Sequence, residues 1–155
     1  MSATEILPDL FKIEVPLPGN PLKAVNSYAI KAERPLVIDT GFNMDACFYA
    51  LTYALSKIGI DYRRSDYFVT HLHADHLGLA GRLTDSVYMS EIDAEIIKSF
   101  NTEYWLEYLE YFRLNGFPSK GIEKILNTHP GNRYSGNVSF IPVNDGDVFN
   151  YGNYS

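Results

Sequence analysis

Cysteine is almost absent from this chain: Cys47 stands alone among 155 residues. A single thiol cannot close an intramolecular disulfide, so the fold must be held by its core. Cys47 falls on an expected helix face and reads as a buried structural thiol rather than a nucleophile. Positive charge is also scarce, with 13 Lys and Arg against 19 Asp and Glu, a net charge of −6 and an isoelectric point near 5.1. That balance opposes a nucleic-acid groove, which needs a basic stripe. No apolar run approaches the ~20 residues required to cross a bilayer. The first residues carry Glu5, Pro8 and Asp9 and no apolar signal-peptide segment. A cytoplasmic chain with neither a nucleic-acid nor a membrane partner is therefore expected. There is no phosphate-cradling glycine loop, no internal repeat and no low-complexity stretch. What remains is globular in character: 46% of residues are hydrophobic, and the length is that of one domain.

Histidine is scarce as well, four in all, yet three of them fall in Thr70-His71-Leu72-His73-Ala74-Asp75-His76. Neutral imidazole is the commonest protein metal ligand, and mixed nitrogen and oxygen donors suit zinc and similar divalent ions. The preceding Tyr67-Phe68-Val69-Thr70 is apolar and β-branched, the pattern of a short buried strand. The cluster is thus expected at the carboxyl end of a strand, where open α/β sheets place their sites. In extended chain, residues two apart point the same way, so His71 and His73 can chelate one ion while Leu72 turns into the core. A tight turn at Ala74 would bring Asp75 and His76 round as a second half-site. Two ions about 3.5–4 Å apart can clamp a hydroxide and polarise a scissile carbonyl or phosphoryl oxygen.

These residues resemble the H-x-H-x-D-H motif of the metallo-β-lactamase superfamily, complete as His71, His73, Asp75 and His76 with the usual Thr70 in front. Leu36-Val37-Ile38-Asp39-Thr40-Gly41 resembles an earlier strand-and-turn motif of the family, and Asn26-Ser27-Tyr28-Ala29-Ile30 the strand leading into it. Leu77-Gly78-Leu79-Ala80-Gly81 is similar to the small-residue segment of glyoxalase-II-like and lactonase-like members. The resemblance implies that His71 and His73 hold a first metal and Asp75 and His76 a second. It also implies that Asp75 is the catalytic group orienting an attacking hydroxide, and that Asp39 is hydrogen-bonded behind the ligands. A plain strand-end turn is the alternative for Asp39. The cofactor implied is zinc, two ions in a complete enzyme, with iron or manganese as alternatives.

The family also supplies a third histidine to the first metal from a later P-G-H-type loop, then a bridging Asp and a final His. None is present before Ser155, so the sequence reads as the N-terminal half of an αββα sandwich: an α/β fold with a mixed sheet and a helical insertion. Thr128-His129-Pro130-Gly131 holds the remaining histidine in the wrong chain order, and a loop residue is the better reading.

Along the chain, Phe11–Val15, Tyr28–Ala32 and Leu36–Ile38 are expected strands. Asn43 is an expected N-cap, and Phe48, Leu51, Leu55 and Ile58 are the buried stripe of a helix stopped by Gly59. The strand after that helix should run parallel to the one before it. Within the single domain of residues 1–155, residues 90–126 read as the insertion. Ser90-Glu91-Ile92-Asp93 resembles a capping box, with Ile92, Ile96 and Ile97 on one side. Trp105, Tyr108, Leu109 and Phe112 form a second stripe that packs on the body, while Tyr104 and Tyr111 beside it are candidates for a substrate wall. Val138–Val143 reads as a further strand and Asp145-Gly146-Asp147 as a hairpin turn.

Two functions follow. One is a metal-dependent hydrolase cleaving a small ester, thioester or lactone through a metal-bound hydroxide, with these 155 residues alone weakly active or inactive. The other is a non-catalytic metal-binding or association module. The expected partners are a small-molecule substrate and, for the exposed sheet, a second copy or a C-terminal half.

Overall fold

The computed structural model describes residues 3–99, 103–118, 121 and 138–155. Among them, seven strands form one mixed sheet in sequence order: β1 (Ala3–Leu7), β2 (Leu10–Pro16), β3 (Ala24–Ile30), β4 (Leu36–Ile38), β5 (Asp66–Phe68), β6 (Ser86–Ser90) and β7 (Ser139–Val143). β1 to β4 pair antiparallel, and β4 to β7 pair parallel. The switch falls where connections change from short turns to helical crossovers, because parallel neighbours need a crossover long enough to return to the same edge. β3 covers residues 24–30 rather than 28–32, and β5 stops at Phe68. β1 has no expectation in the sequence pattern at all.

The expected β4–helix–β5 unit is present, with α1 (Asp45–Lys57) as its crossover. Its buried face is Cys47, Ala50, Leu51, Ala54 and Leu55, so the stripe is turned slightly from the expected one, leaving Phe48 and Ile58 half-buried. These residues pack on Ile13, Val15, Ala29, Val37, Tyr67, Val69, Val87 and Met89 from the strands and their continuations. The Cys47 thiol, wholly buried, donates to Pro16 O at 3.1 Å. The N-cap is Met44, not Asn43, and no side chain caps it. At the other end Gly59 adopts φ +78°, Gly59 N–H donates to Ser56 O and Ile60 N–H to Leu55 O, the paired bonds of a Schellman stop.

After β5 come two single-turn helices, α2 (Ala74–Leu77) and α3 (Ala80–Leu83), and after β6 come α4 (Glu91–Ser99) and α5 (Glu103–Leu114). Ser90 Oγ accepts from Asp93 N–H at 3.1 Å, the side-chain half of the expected capping box. α4 buries Ala94 and Ile97 against β6 and β7, whereas Ile92 is 74% exposed rather than sharing their face. α5 ends at Gly116 with φ +82°, where Phe117 N–H donates to Phe112 O and Gly116 N–H to Arg113 O. Residues 100–102, 119, 120 and 122–126 of the expected insertion, and His129, lie outside the described residues.

The second face of the sheet carries Leu10, Ile30, Leu36, Ile38 and Phe68, covered by Phe149, Tyr151 and Tyr154 of the last described segment. Asp145-Gly146 forms a turn with Gly146 at φ +89° and Asn144 N–H donating to Asp147 Oδ2. It is not a hairpin: among the described residues no strand beyond it pairs back on β7.

Candidate metal centre

The centre is built where β4 and β5 end side by side. The parallel register sets Ile38 opposite Phe68, so the next residues out, Asp39 and Val69-Thr70, share one rim. Asp39 N–H donates to Phe68 O at 2.9 Å. Asp39 takes φ +60° and is 5% exposed, a left-handed turn that Asp tolerates better than most residues. Its carboxylate accepts from Thr70 N–H at 2.9 Å and from the Thr70 hydroxyl at 2.9 and 3.0 Å.

One proton decides the next link. Thr70 Oγ1 also lies 3.1 Å from His71 Nδ1. A hydroxyl has a single proton and a carboxylate can only accept. The Thr70 proton therefore goes to Asp39, and Thr70 accepts from His71 Nδ1–H, which leaves the lone pair on His71 Nε2. His76 Nδ1 stands 2.8 Å from Asp39 Oδ2, close but out of line for a full hydrogen bond. Facing a carboxylate, that nitrogen carries the proton, so His76 also presents Nε2, which lies 3.6 Å from Asp75 Oδ2. Asp39 thus stands behind two imidazoles, hydrogen-bonded to one through Thr70 and in close electrostatic contact with the other. Outer partners of this kind fix tautomer and ring direction in metal sites. The residue sequence reasoning passed over is Thr70; the signal was the parallel register that sets position 70 beside position 39.

The three imidazoles crowd together. Ring centroids of His71 and His73 are 4.6 Å apart, and those of His71 and His76 are 4.0 Å apart. His73 precedes α2 in extended conformation, with φ −65° and ψ 145°. The expected turn at Ala74 is the first turn of that helix, and it carries Asp75 and His76 round to the cluster. Leu72 packs toward the core. Burial, helped by the neighbouring His76 and His73, holds the His71 pKa below its ordinary value, so it stays neutral and able to ligate. Burial also pulls down on His76, but Asp39 and Asp75 together outweigh it and raise its pKa.

Close backbone packing seats α2. Thr40 N–H and Oγ1 both donate to His76 O, at 2.8 and 2.7 Å, and Leu79 N–H donates to Thr40 Oγ1 at 3.2 Å. A Cβ at Gly78 would stand 2.6 Å from Gly41 O and 2.7 Å from Asn43 N. Gly78 is thus required for close approach, and Gly41, at φ +114°, for the turn that meets it.

The donor chemistry fits a divalent ion of the zinc type. Among the described residues, however, no three His, Cys, Asp or Glu side chains converge as a ready ligand set. Tyr111 is 63% exposed and packs edge-on against Phe112, and the side chains of Tyr104, Trp105 and Tyr108 lie outside the described residues. α4 starts at the carboxyl end of β6, the same end of the parallel strands as the histidines.

The metallo-beta-lactamase superfamily sequence model matches residues 20–92, the stretch from before β3 into the first turn of α4. Solved structures agree. A metallo-beta-lactamase family protein from Thermus thermophilus is 27% identical with a TM-score of 0.73, covering 95% of this chain and 50% of its own. A beta-lactamase domain protein from Burkholderia ambifaria is 16% identical with a TM-score of 0.68, covering 97% and 46%. Rubredoxin oxygen:oxidoreductase from Desulfovibrio gigas, 18% identical with a TM-score of 0.53, covers 63% and 27%. A comparison with curated proteins finds no match. Residues 20–92 are therefore similar to the metallo-β-lactamase superfamily, whose members are generally divalent-metal-dependent hydrolases, and the fold is that of its solved structures. The chain spans about half the length of the first two structures it matches. No described helix is long and apolar enough to cross a membrane.

Proposed function

We propose that this chain supplies the histidine-aspartate half of a metal-dependent hydrolase site for a small ester, thioester or lactone. The observation that carries the reading is the Asp39–Thr70–His71 link. It presents a metal-binding nitrogen of defined tautomer beside two further imidazoles at 4.0–4.6 Å between ring centroids. His71 and His73 would hold one ion and Asp75 and His76 a second. Bound divalent ions would supply Lewis acidity toward a carbonyl oxygen and an activated water. Asp75 sits beside His76 Nε2 with its side chain 21% exposed, where its carboxylate can orient that water and take its proton. Asp39 and Thr70 keep both imidazoles in the ligating tautomer through the cycle.

Two protein donors per ion fall short of the three or four that zinc sites use, so the 155 residues alone should bind zinc weakly and turn over slowly. Zinc is the first choice of metal, with iron or manganese accepted by the same donors. The non-catalytic reading, a metal-binding or association module, is favoured by the lack of a converged three-donor set among the described residues. One experiment decides between them. Zinc titration is run beside hydrolysis of a thioester, an aryl ester and a lactone, on the chain and on His71→Ala, His73→Ala and Asp75→Asn. The hydrolase reading expects metal-dependent turnover lost in all three variants. Zinc binding without turnover on any of the substrates would support the module. Zinc binding that survives His71→Ala and His73→Ala would overturn both readings.

A further inference from the structure

At the pole opposite the histidines, a cleft of about 1080 Å³ opens under the amino ends of β4, β5 and β6. Three of the chain's six arginines, Arg34, Arg63 and Arg64, line it, together with Glu33 and Asp66. Three guanidiniums against two carboxylates is a local inversion of sign in a chain of net charge −6. One of those carboxylates is already committed. Asp66 Oδ1 accepts from Arg34 Nε and Nη2 at 2.9 and 2.6 Å, and Asp66 Oδ2 accepts from Tyr151 OH at 2.9 Å.

The anchoring has a consequence for Arg34. Asp66 is 13% exposed and fixes one edge of the guanidinium, yet the Arg34 side chain remains 75% exposed. An arginine held along one edge and open along the other has lost part of the freedom it would otherwise lose on binding. Arg63 lies with its guanidinium carbon 4.5 Å from the Tyr62 ring centroid, a stack that engages its face and leaves its N–H edges. Arg64 forms no ion pair or side-chain hydrogen bond among the described residues. Three planar forks lining one cleft suit a tetrahedral oxyanion, which such groups can approach through paired N–H groups. The cleft is far larger than a single inorganic ion, and Phe149 on its wall offers an apolar surface for the rest of a ligand.

We propose that this cleft binds a phosphate-bearing small molecule, its phosphate held by Arg34, Arg63 and Arg64 and its body laid along the Phe149–Gly152 wall. The site is independent of the metal centre, since it shares no residue with it.

The test is calorimetric titration of the 155-residue chain with inorganic pyrophosphate, in chelator so that no ion at the histidines can recruit phosphate. Saturable one-to-one binding is expected, weakening as salt rises. Arg64→Ala, which removes no ion pair or side-chain hydrogen bond among the described residues, should lower affinity about tenfold, and Arg63→Ala by a similar factor. Arg113→Ala on α5, whose guanidinium pairs with Glu110, should leave affinity unchanged. His71→Ala should also leave it unchanged, which separates this site from the hydrolase reading. No saturable binding up to about 1 mM, or an Arg64→Ala variant that binds as tightly as the parent, would overturn the proposal. Citrate binding as tightly as pyrophosphate would overturn its assignment to phosphate.

Discussion

Asp39→Asn is the sharpest perturbation of the proposed metal centre. Asparagine matches aspartate in shape and tolerates the φ of +60° at this turn, so the backbone need not move. What changes is the acceptor count. The carboxylate faces two donors from Thr70 and the protonated Nδ1 of His76. An amide has one acceptor oxygen and sets an NH2 group against one of those donors. In a pocket 5% exposed, a donor left facing a donor costs about 1–3 kcal/mol. Losing the partner behind a metal-bound imidazole costs roughly 10–100-fold in metal affinity, and here two imidazoles lose it at once. The expected result is a lower urea midpoint with unchanged slope in the metal-free chain, together with zinc affinity reduced at least tenfold in a competition titration with a chromophoric chelator. Thr70→Val should reproduce the zinc effect at smaller size, because it breaks only the branch to His71. If Asp39→Asn lowered the urea midpoint while zinc affinity stayed within a factor of two, Asp39 would be a structural turn residue and the orientation argument would be wrong.

Alkaline pH gives a second expectation. Burial pushes the Tyr67 phenol, 1% exposed and donating to Tyr62 O at 2.8 Å, well above its ordinary value, and burial followed by the Asp66 hydrogen bond does the same for Tyr151. Both raised values belong to the folded state, so their contribution is complete below the unfolded tyrosine value of about 10 and declines as pH rises above it. Urea midpoints should fall above that pH, and Tyr67→Phe should flatten the fall; an unchanged slope in Tyr67→Phe would refute it. Leu55→Ala, at a core position with no exposed surface, should destabilise by about 2–5 kcal/mol in equilibrium unfolding while leaving zinc affinity untouched. Gly78→Ala should destabilise by roughly 3 kcal/mol, since its Cβ would meet backbone oxygen atoms at 2.3 and 2.6 Å, and should weaken zinc binding as well. A Gly78→Ala variant as stable as the parent would show that α2 can move off the Gly41 turn.

The parts of this molecule that were legible in the sequence are those where one segment carries its own pattern. The crossover helix, the Gly59 stop, the Ser90 cap and the histidine run all write their geometry into consecutive residues. β1 does not: its five residues show an almost uniformly exposed burial pattern, so no period-2 alternation marks it, and pairing with β2 alone defines it. α1 shows its period but not its rotation, because small residues (Cys47, Ala50, Ala54) occupy the face that meets the sheet and draw less attention than the larger Phe48 and Ile58. The Asp39–Thr70–His71 link needs the parallel register of β4 and β5 before any of it can be seen. The arginine cleft is further out of reach still, since its walls come from residues 32–34, 63–66, 84–86 and 148–152.

The two glycines at the centre show why fold and site cannot be separated here. Asp75 and His76 ride on a helix of four residues, too short to hold a position by its own hydrogen bonds. Its position is imposed from outside. Thr40 takes the carbonyl of His76, the Gly41 turn lies against Gly78, and Val15 of β2 fills the space where a Gly41 side chain would stand, at 2.8 Å. The turn that runs from Asp39 through Gly41 to Asn43 therefore does two things with five residues. Its carboxylate sets the tautomers of His71 and His76, and its backbone sets the place of the helix that delivers His76. A site in which both ligand direction and ligand position depend on one turn should lose metal affinity when either is disturbed. Core damage at a distance, as in Leu55→Ala, should lower stability alone. The contrast between Gly78→Ala and Leu55→Ala thus measures whether the Asp39–Asn43 turn is the part of the fold that organises the metal centre.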